Sequence, residues 1–186
     1  MKLKKFIFRS VNSTNDTAIK IIKSTKNNSG IVFSENQKKG KGQYGNKWIS
    51  LKGNLFVSIF FKLEEVNYSL KDMTKINCQI IKKFLSFYCK KKISIKLPND
   101  LKIQGKKISG ILQETIMKDN IKFLVVGIGI NLIKSPKIKN YPTTNLFELT
   151  NNTINNKDVF SRLIKIYEIF IPRFSSSKQE LMKKFK

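Results

Sequence analysis

Histidine is absent from the 186 residues, which removes a Ser-His-Asp or Cys-His nucleophile, an HExxH zinc site and histidine general-base catalysis together. Any catalysis falls to lysine, carboxylate or backbone groups. Arginine is nearly absent too: Arg9, Arg162 and Arg173 are the only guanidinium groups. No run approaches the roughly 20 consecutive apolar residues that cross a bilayer. The start, Met1-Lys2-Leu3-Lys4-Lys5, leads into a short strand-like segment rather than a signal-peptide core. A cytoplasmic protein without a membrane partner is expected. Cysteine is limited to Cys78 and Cys89. In one continuous helix they would be separated by about 16 Å of rise, too far for a disulfide. Their spacing of about three turns predicts one buried face.

The chain does have charge. A formal net charge of +25 invites a nucleic-acid reading, but base readers and phosphate clamps favour the arginine fork. Lysine, asparagine and isoleucine rise together, as under a general coding bias. A solvated lysine surface is expected, with no DNA partner. That charge would still favour encounter with an acidic protein.

With 40% hydrophobic and 26% charged residues, the chain has the composition of a folded domain. Strand patterns fall at Leu3 to Arg9, Gly30 to Ser34 and Asn54 to Lys62, and helical patterns at Ser13 to Ser24 and Ser69 to Lys90. From Ile93 a meander is expected: Ile93 to Leu97, Leu101 to Ile103, a Gln104-Gly105 turn, Lys107 to Thr115, an Asp119-Asn120 turn, and Ile121 to Leu132. Apolar residues from Val159 to Ile171 recur at helical spacing. Ser177 and Glu180 have the spacing of a capping box that opens a last helix. The expectation is one α+β domain over residues 1–186, with a mixed, mainly antiparallel sheet and helices packed on one face.

Gly40-Lys41-Gly42-Gln43-Tyr44-Gly45 fits GxGxxG, but a dinucleotide site requires a helix after it. Asn46-Lys47-Trp48 and another strand follow instead, so the Rossmann reading fails. A loop of glycines among lysines is able to wrap an anion with backbone N–H groups; a solvated surface loop is the equal alternative. Lys107 stands at the mouth of an apolar strand, and Gly110 leaves room for a close approach. Gly127 and Gly129 interrupt a buried strand that ends in Asn131, a pattern that serves close packing or reading of a base edge.

In order, Ser13-Thr14-Asn15, Glu35-Asn36-Gln37 with Gly40 to Trp48, Gly53 to Ser58, Lys96 to Leu101, Lys107 to Glu114, Gly127 to Asn131 and Tyr141 to Leu146 resemble the biotin–protein ligases. The ordered set is specific where each piece alone is weak. The resemblance implies the class II aminoacyl-tRNA synthetase and biotin ligase type of fold. It also implies a two-step reaction, in which biotin and Mg·ATP give biotinyl-adenylate and an acceptor lysine then takes the biotinyl group. Lys107 matches the lysine that touches the biotin carboxylate and the α-phosphate, and is the catalytic candidate. Ser13, Thr14, Asn15, Gln37, Gly40, Lys41, Lys107 and Gly110 match the biotin contacts. Lys41, Gly42, Gln43, Trp48, Asn99, Asp100 and Asn131 match the ATP and adenylate contacts. Biotin and ATP are thus the expected substrates and Mg2+ the expected ion, with no protein metal ligand assigned. The expected partner is a biotin carboxyl carrier protein or carrier domain, and a homodimer is one assembly the resemblance allows.

The chain departs from the family pattern in three ways. Lys41, Gln43 and Asn46 stand where the family loop usually has arginines, which implies weaker retention of the adenylate. Leu97 replaces a tryptophan. Neither an N-terminal winged helix-turn-helix nor a C-terminal small β-barrel is expected. The competing readings are a lipoate–protein ligase or octanoyl transferase of the same fold, a non-catalytic nucleic-acid-binding module, and a biotin-binding relic.

Overall fold

The computed structural model describes residues 1–63 and 68–175; Ser177 and Glu180 lie outside them. Seven strands form one sheet in the order β1-β2-β3-β7-β6-β5-β4. β1 (Lys4–Phe8) pairs parallel to β2 (Ser29–Ser34) across the crossover helix α1 (Thr14–Ser24). The remaining neighbours are antiparallel: β3 (Leu55–Lys62), β4 (Ile93–Lys96), β5 (Asp100–Ile103), β6 (Lys106–Lys118) and β7 (Ile121–Ile130). The expected meander is therefore present. Its two tight turns use residues that tolerate positive φ, Gln104 and Gly105 at 51° and 77°, and Asp119 and Asn120 at 49° and 61°.

Strand alternation sends side chains to two faces, and both are covered. On one face Ile31, Phe33, Val57, Ile59, Phe61, Val126 and Ile128 join α2 (Leu70–Ser86) and, after the short α3 (Leu146–Thr150), α4 (Asn156–Phe170) in the main core. On the other, Val32, Phe60, Phe123 and Val125 meet Ala18 and Ile22 of α1. The expectation of helices on one face is corrected here. Residues 32, 60 and 125 are as apolar as their neighbours, and α1 is what shields them. Each such buried side chain contributes about 1.5–3 kcal/mol relative to exposure.

Helices α1 and α2 begin at the expected serine: Ser13 Oγ accepts from the Asp16 N–H at 3.4 Å, and Ser69 Oγ from the Asp72 N–H at 3.1 Å. α2 ends at Ser86, so Cys89 lies past the helix. It and Cys78 are nonetheless both buried and free. A buried polar relay joins helices to sheet. The Tyr167 hydroxyl donates to Asn77 Oδ1 at 2.8 Å, and Asn77 Nδ2 donates to Gln113 Oε1 at 2.9 Å. No described helix is long and apolar enough to cross a membrane.

Candidate active site

A cleft of about 450 Å³ opens where the segment after β2, the start of α1, the first half of β6 and the C-terminal end of β7 meet. Its lining includes Ser13, Thr14, Asn15, Gln37, Lys41, Gly42, Gln43, Trp48, Asn99, Asp100, Lys107 and Gly110. Thus all but two of the residues selected from the sequence are brought together.

At one end is a polar cluster on the first turn of α1. The Thr14 N–H and Oγ1–H both donate to Gln37 Oε1, at 2.8 and 3.0 Å, and Gln37 Nε2 donates to Ser50 Oγ at 3.2 Å. Asn15 Nδ2 donates to Glu114 Oε2 at 2.6 Å, and the Ser58 hydroxyl lies within hydrogen-bond distance of both Asn15 Oδ1 and Thr14 Oγ1. Gly127 makes this possible: a Cβ there would stand 2.3 Å from Asn15 Oδ1. Thr14, Asn15 and Ser58 are buried, Gln37, Ser50 and Glu114 half-buried, and the cluster is already hydrogen-bonded within itself, which orients its groups before any ligand arrives.

The glycine loop folds back over the cleft. The Gly42 N–H donates to the Asn46 carbonyl at 2.7 Å and the Trp48 N–H to the Gly40 carbonyl at 2.9 Å. Tyr44 and Gly45 turn the chain at φ 55° and 76°. Gly40 itself does not line the cleft; it is buried against Trp48, Ser50 and Gln37. Lys41 is ion-paired to Asp16, and that hydrogen bond raises its ammonium above the ordinary 10.5. Trp48 lies across the cross-strand pair Gly110 and Gly129, where ideal Cβ atoms would come within 2.9 and 2.4 Å of its ring. Its indole N–H is buried and has no hydrogen-bond partner among the described residues, leaving a donor for a ligand acceptor.

Lys107 stands at the centre. Its Nζ is 5.3 Å from the Trp48 ring and 5.6 Å from the Tyr141 ring, and 2.8 Å from Asp100 Oδ1. The last contact is an ion pair without aligned hydrogen-bond geometry. Asp100 Oδ2 accepts from the Tyr141 hydroxyl. Burial, reinforced by that carboxylate, raises the Tyr141 phenol above its usual 10, so it remains a donor. The strap after β7 fixes Lys107 from behind: its N–H donates to the Pro142 carbonyl at 2.8 Å, and the Thr144 N–H donates to its carbonyl at 2.9 Å. Asn99 is less free than expected, because Nδ2 donates to the Ile111 carbonyl at 2.7 Å. Leu97, in the tryptophan position, lines the cleft and is 61% exposed.

Asn131 is the second residue that stays out of the cleft. It is buried, its Nδ2 donates to the Thr144 carbonyl at 3.1 Å, and its N–H pairs with the Ile108 carbonyl. Conversely, Tyr141 and Ser58 enter the site without having been selected for their side chains. The aromatic beside Pro142 in a loop was the available signal for Tyr141; Ser58 sits inside an apolar strand and gave none.

Four lysines and one carboxylate line the cleft. With its orphan N–H and ordered polar end, it belongs to a ligand-binding domain suited to holding anionic groups together. The sequence profile of the biotin/lipoate A/B protein ligase family matches residues 7–131. The chain belongs to that family. The bifunctional ligase/repressor BirA of Escherichia coli (strain K12) is 32% identical over 124 residues, covering 66% of this chain and 38% of that protein. Biotin–protein ligase 2 of Arabidopsis thaliana is 30% identical over 161 residues, covering 77% of this chain and 46% of that protein. The chain thus spans less than half the length of these curated relatives. The biotin protein ligase of Aquifex aeolicus solved with biotin and ATP superposes with a TM-score of 0.79 at 26% identity, over 98% of this chain and 77% of that one. A bipartite lipoate protein ligase from Thermoplasma acidophilum shares the fold, with a TM-score of 0.63 at 10% identity over 92% of this chain and 85% of that one.

Proposed function

We propose that the protein is an ATP-dependent biotin–protein ligase, a biotin–[acetyl-CoA-carboxylase] ligase in specificity. The observation that carries this is the Lys107 ammonium, held between Trp48 and Tyr141 beside Asp100, one cleft away from the Thr14 and Gln37 polar cluster. A ureido ring fits the polar end, and a carboxylate and an α-phosphate meet at Lys107.

In the first step a biotin carboxylate oxygen bonds to the α-phosphorus, and the bond from that phosphorus to the bridging oxygen breaks. Pyrophosphate leaves with the electron pair. No proton moves, so the absence of histidine is no obstacle; the difficulty is charge, which Lys107 and loop N–H groups offset. In the second step an acceptor lysine amine attacks the acyl carbon, AMP leaves with the electron pair, and the amine proton passes to solvent.

Mg2+ fits the donor set only as an ion that arrives with phosphate and water ligands. Asp100 is the cleft's one carboxylate and is already engaged, and no group of three His, Cys, Asp or Glu is gathered among the described residues. Bound with ATP, it supplies charge neutralisation at the phosphates. The acceptor is a biotin carboxyl carrier domain, and the +25 charge favours encounter if that domain is acidic. The expected setting is the cytoplasm, where ATP is supplied.

The test is biotinyl-adenylate formation and pyrophosphate release from biotin and Mg·ATP, with lipoate in parallel and Lys107→Ala as control. Adenylate from biotin, lost in Lys107→Ala, supports the reading. Adenylate from lipoate alone moves the protein to the other branch of the family.

A further inference from the structure

Around Tyr141, which lines the cleft with Lys96 and Lys107, three ammonium groups converge on one ring. Lys96 Nζ stands 4.7 Å from the Tyr141 centroid, Lys102 Nζ 4.8 Å and Lys107 Nζ 5.6 Å. Asp100 compensates Lys107; among the described residues no carboxylate pairs with Lys96 or Lys102. Lys96 does approach the Tyr141 hydroxyl, at 3.5 Å.

Like charges so close repel, and one aromatic face attracts a cation only modestly at a partly exposed site. The ring is fixed all the same. Its hydroxyl is tied to Asp100, and the backbone bonds of Pro142 and Thr144 to Lys107 hold the strap on either side. Nor is Tyr141 the missing anion, since burial and Asp100 keep it a phenol. Positive charge is gathered around a rigid neutral post beside Lys107, a short reach from where an α-phosphate would sit.

We propose that Tyr141, Lys96 and Lys102 form the seat for the polyphosphate tail of a nucleoside triphosphate, and hence for departing pyrophosphate. This rests on the adenylate-forming reading of the cleft. As the bond at the α-phosphorus breaks, the electron pair and its negative charge move toward this seat, where two uncompensated ammonium groups receive them. Lys102 comes from β5, two residues beyond Asp100, and Tyr141 lies beyond residue 131, where the family match ends.

The experiment uses the full chain, Lys102→Gln and, as a control for overall charge, Lys90→Gln on the remote surface. Calorimetry without biotin measures inorganic pyrophosphate, Mg·ATP and AMP; melting confirms folding. Lys102→Gln is expected to weaken pyrophosphate and ATP about 2- to 5-fold, as for one partly exposed charge contact, while AMP binds as before. The KM for ATP rises by the same factor and that for biotin does not. Unchanged pyrophosphate and ATP affinities, an equal loss for AMP, an equal loss in Lys90→Gln, or no pyrophosphate binding by the wild type each overturn the seat. If the binding pattern holds but wild type forms no adenylate, the ligase reading fails and the polyphosphate seat stands.

Discussion

Trp48 rests on Gly129 so closely that an ideal Cβ at that glycine would lie 2.4 Å from the indole ring. A methyl group there has to lift the ring or bend β7, and overpacking of this kind costs about 1–3 kcal/mol. Trp48 is the only tryptophan, so its fluorescence reports the event directly. Gly129→Ala is expected to shift emission to longer wavelength as the indole becomes wet, and to raise the KM for ATP more than that for biotin. An unshifted spectrum with unchanged ATP kinetics would show that the wall tolerates the methyl group.

Asp100 holds two partners at once, Lys107 by charge and Tyr141 by hydrogen bond. Asp100→Asn keeps the shape and the Tyr141 contact but releases Lys107, whose side chain is only 20% exposed. The rate of adenylate formation is expected to fall about tenfold, the order of a lost charge contact at a partly buried site. Biotin affinity, proposed to rest on the Thr14 and Gln37 end, should stay within about twofold. Single-turnover adenylation beside calorimetry separates the two; equal losses in both would mean Asp100 acts on the whole cleft.

The elements were legible in the sequence because their signals are local. Ser13 and Ser69 cap helices, and Gln104-Gly105 and Asp119-Asn120 accept the positive φ that two-residue hairpins require. Which face α1 covers was not legible: Val32 and Phe33 are both apolar, and alternation assigns them to opposite faces without saying what covers each. Of the site, the sequence motifs selected residues such as Lys107 and Trp48 that the structure brings into one cleft. Residues were missed where tertiary placement decides, as for Tyr141 on its strap and Lys102 behind Asp100.

Burial, with a smaller push from the Asp100 charge, raises the Cys78 thiol from 9.0 to about 12. A raised pKa in the folded state means the unfolded chain loses its proton first, so the stability this thiol contributes is complete below pH 9.0 and declines as pH rises toward about 12. Tyr141 and Tyr167, both raised above 10, act in the same direction from pH 10 upward. Melting temperature should fall progressively above pH 9, and less steeply in Cys78→Ala once its lower baseline is subtracted. Identical slopes in the two proteins would remove Cys78 from the alkaline transition.

Asn131 separates two roles that the sequence pattern left open, reading a base edge or closing a fold. In the structure its amide donates to the Thr144 carbonyl, while Asn54 Oδ1 accepts from the N–H groups of Leu132, Ile133 and Lys134 at 3.0, 3.1 and 3.2 Å. Together the two asparagines tie both ends of the strap that carries Tyr141. Removing one partner from a buried hydrogen bond costs about 1–3 kcal/mol, so Asn131→Ala and Asn54→Ala should each lower the melting temperature by several degrees. Any weakening of ATP binding should then follow the strap, appearing for ATP and pyrophosphate and sparing AMP. If Asn131→Ala instead weakened AMP binding at an unchanged melting temperature, its amide would be a nucleoside contact, and the strap would have to be held by Asn54 alone.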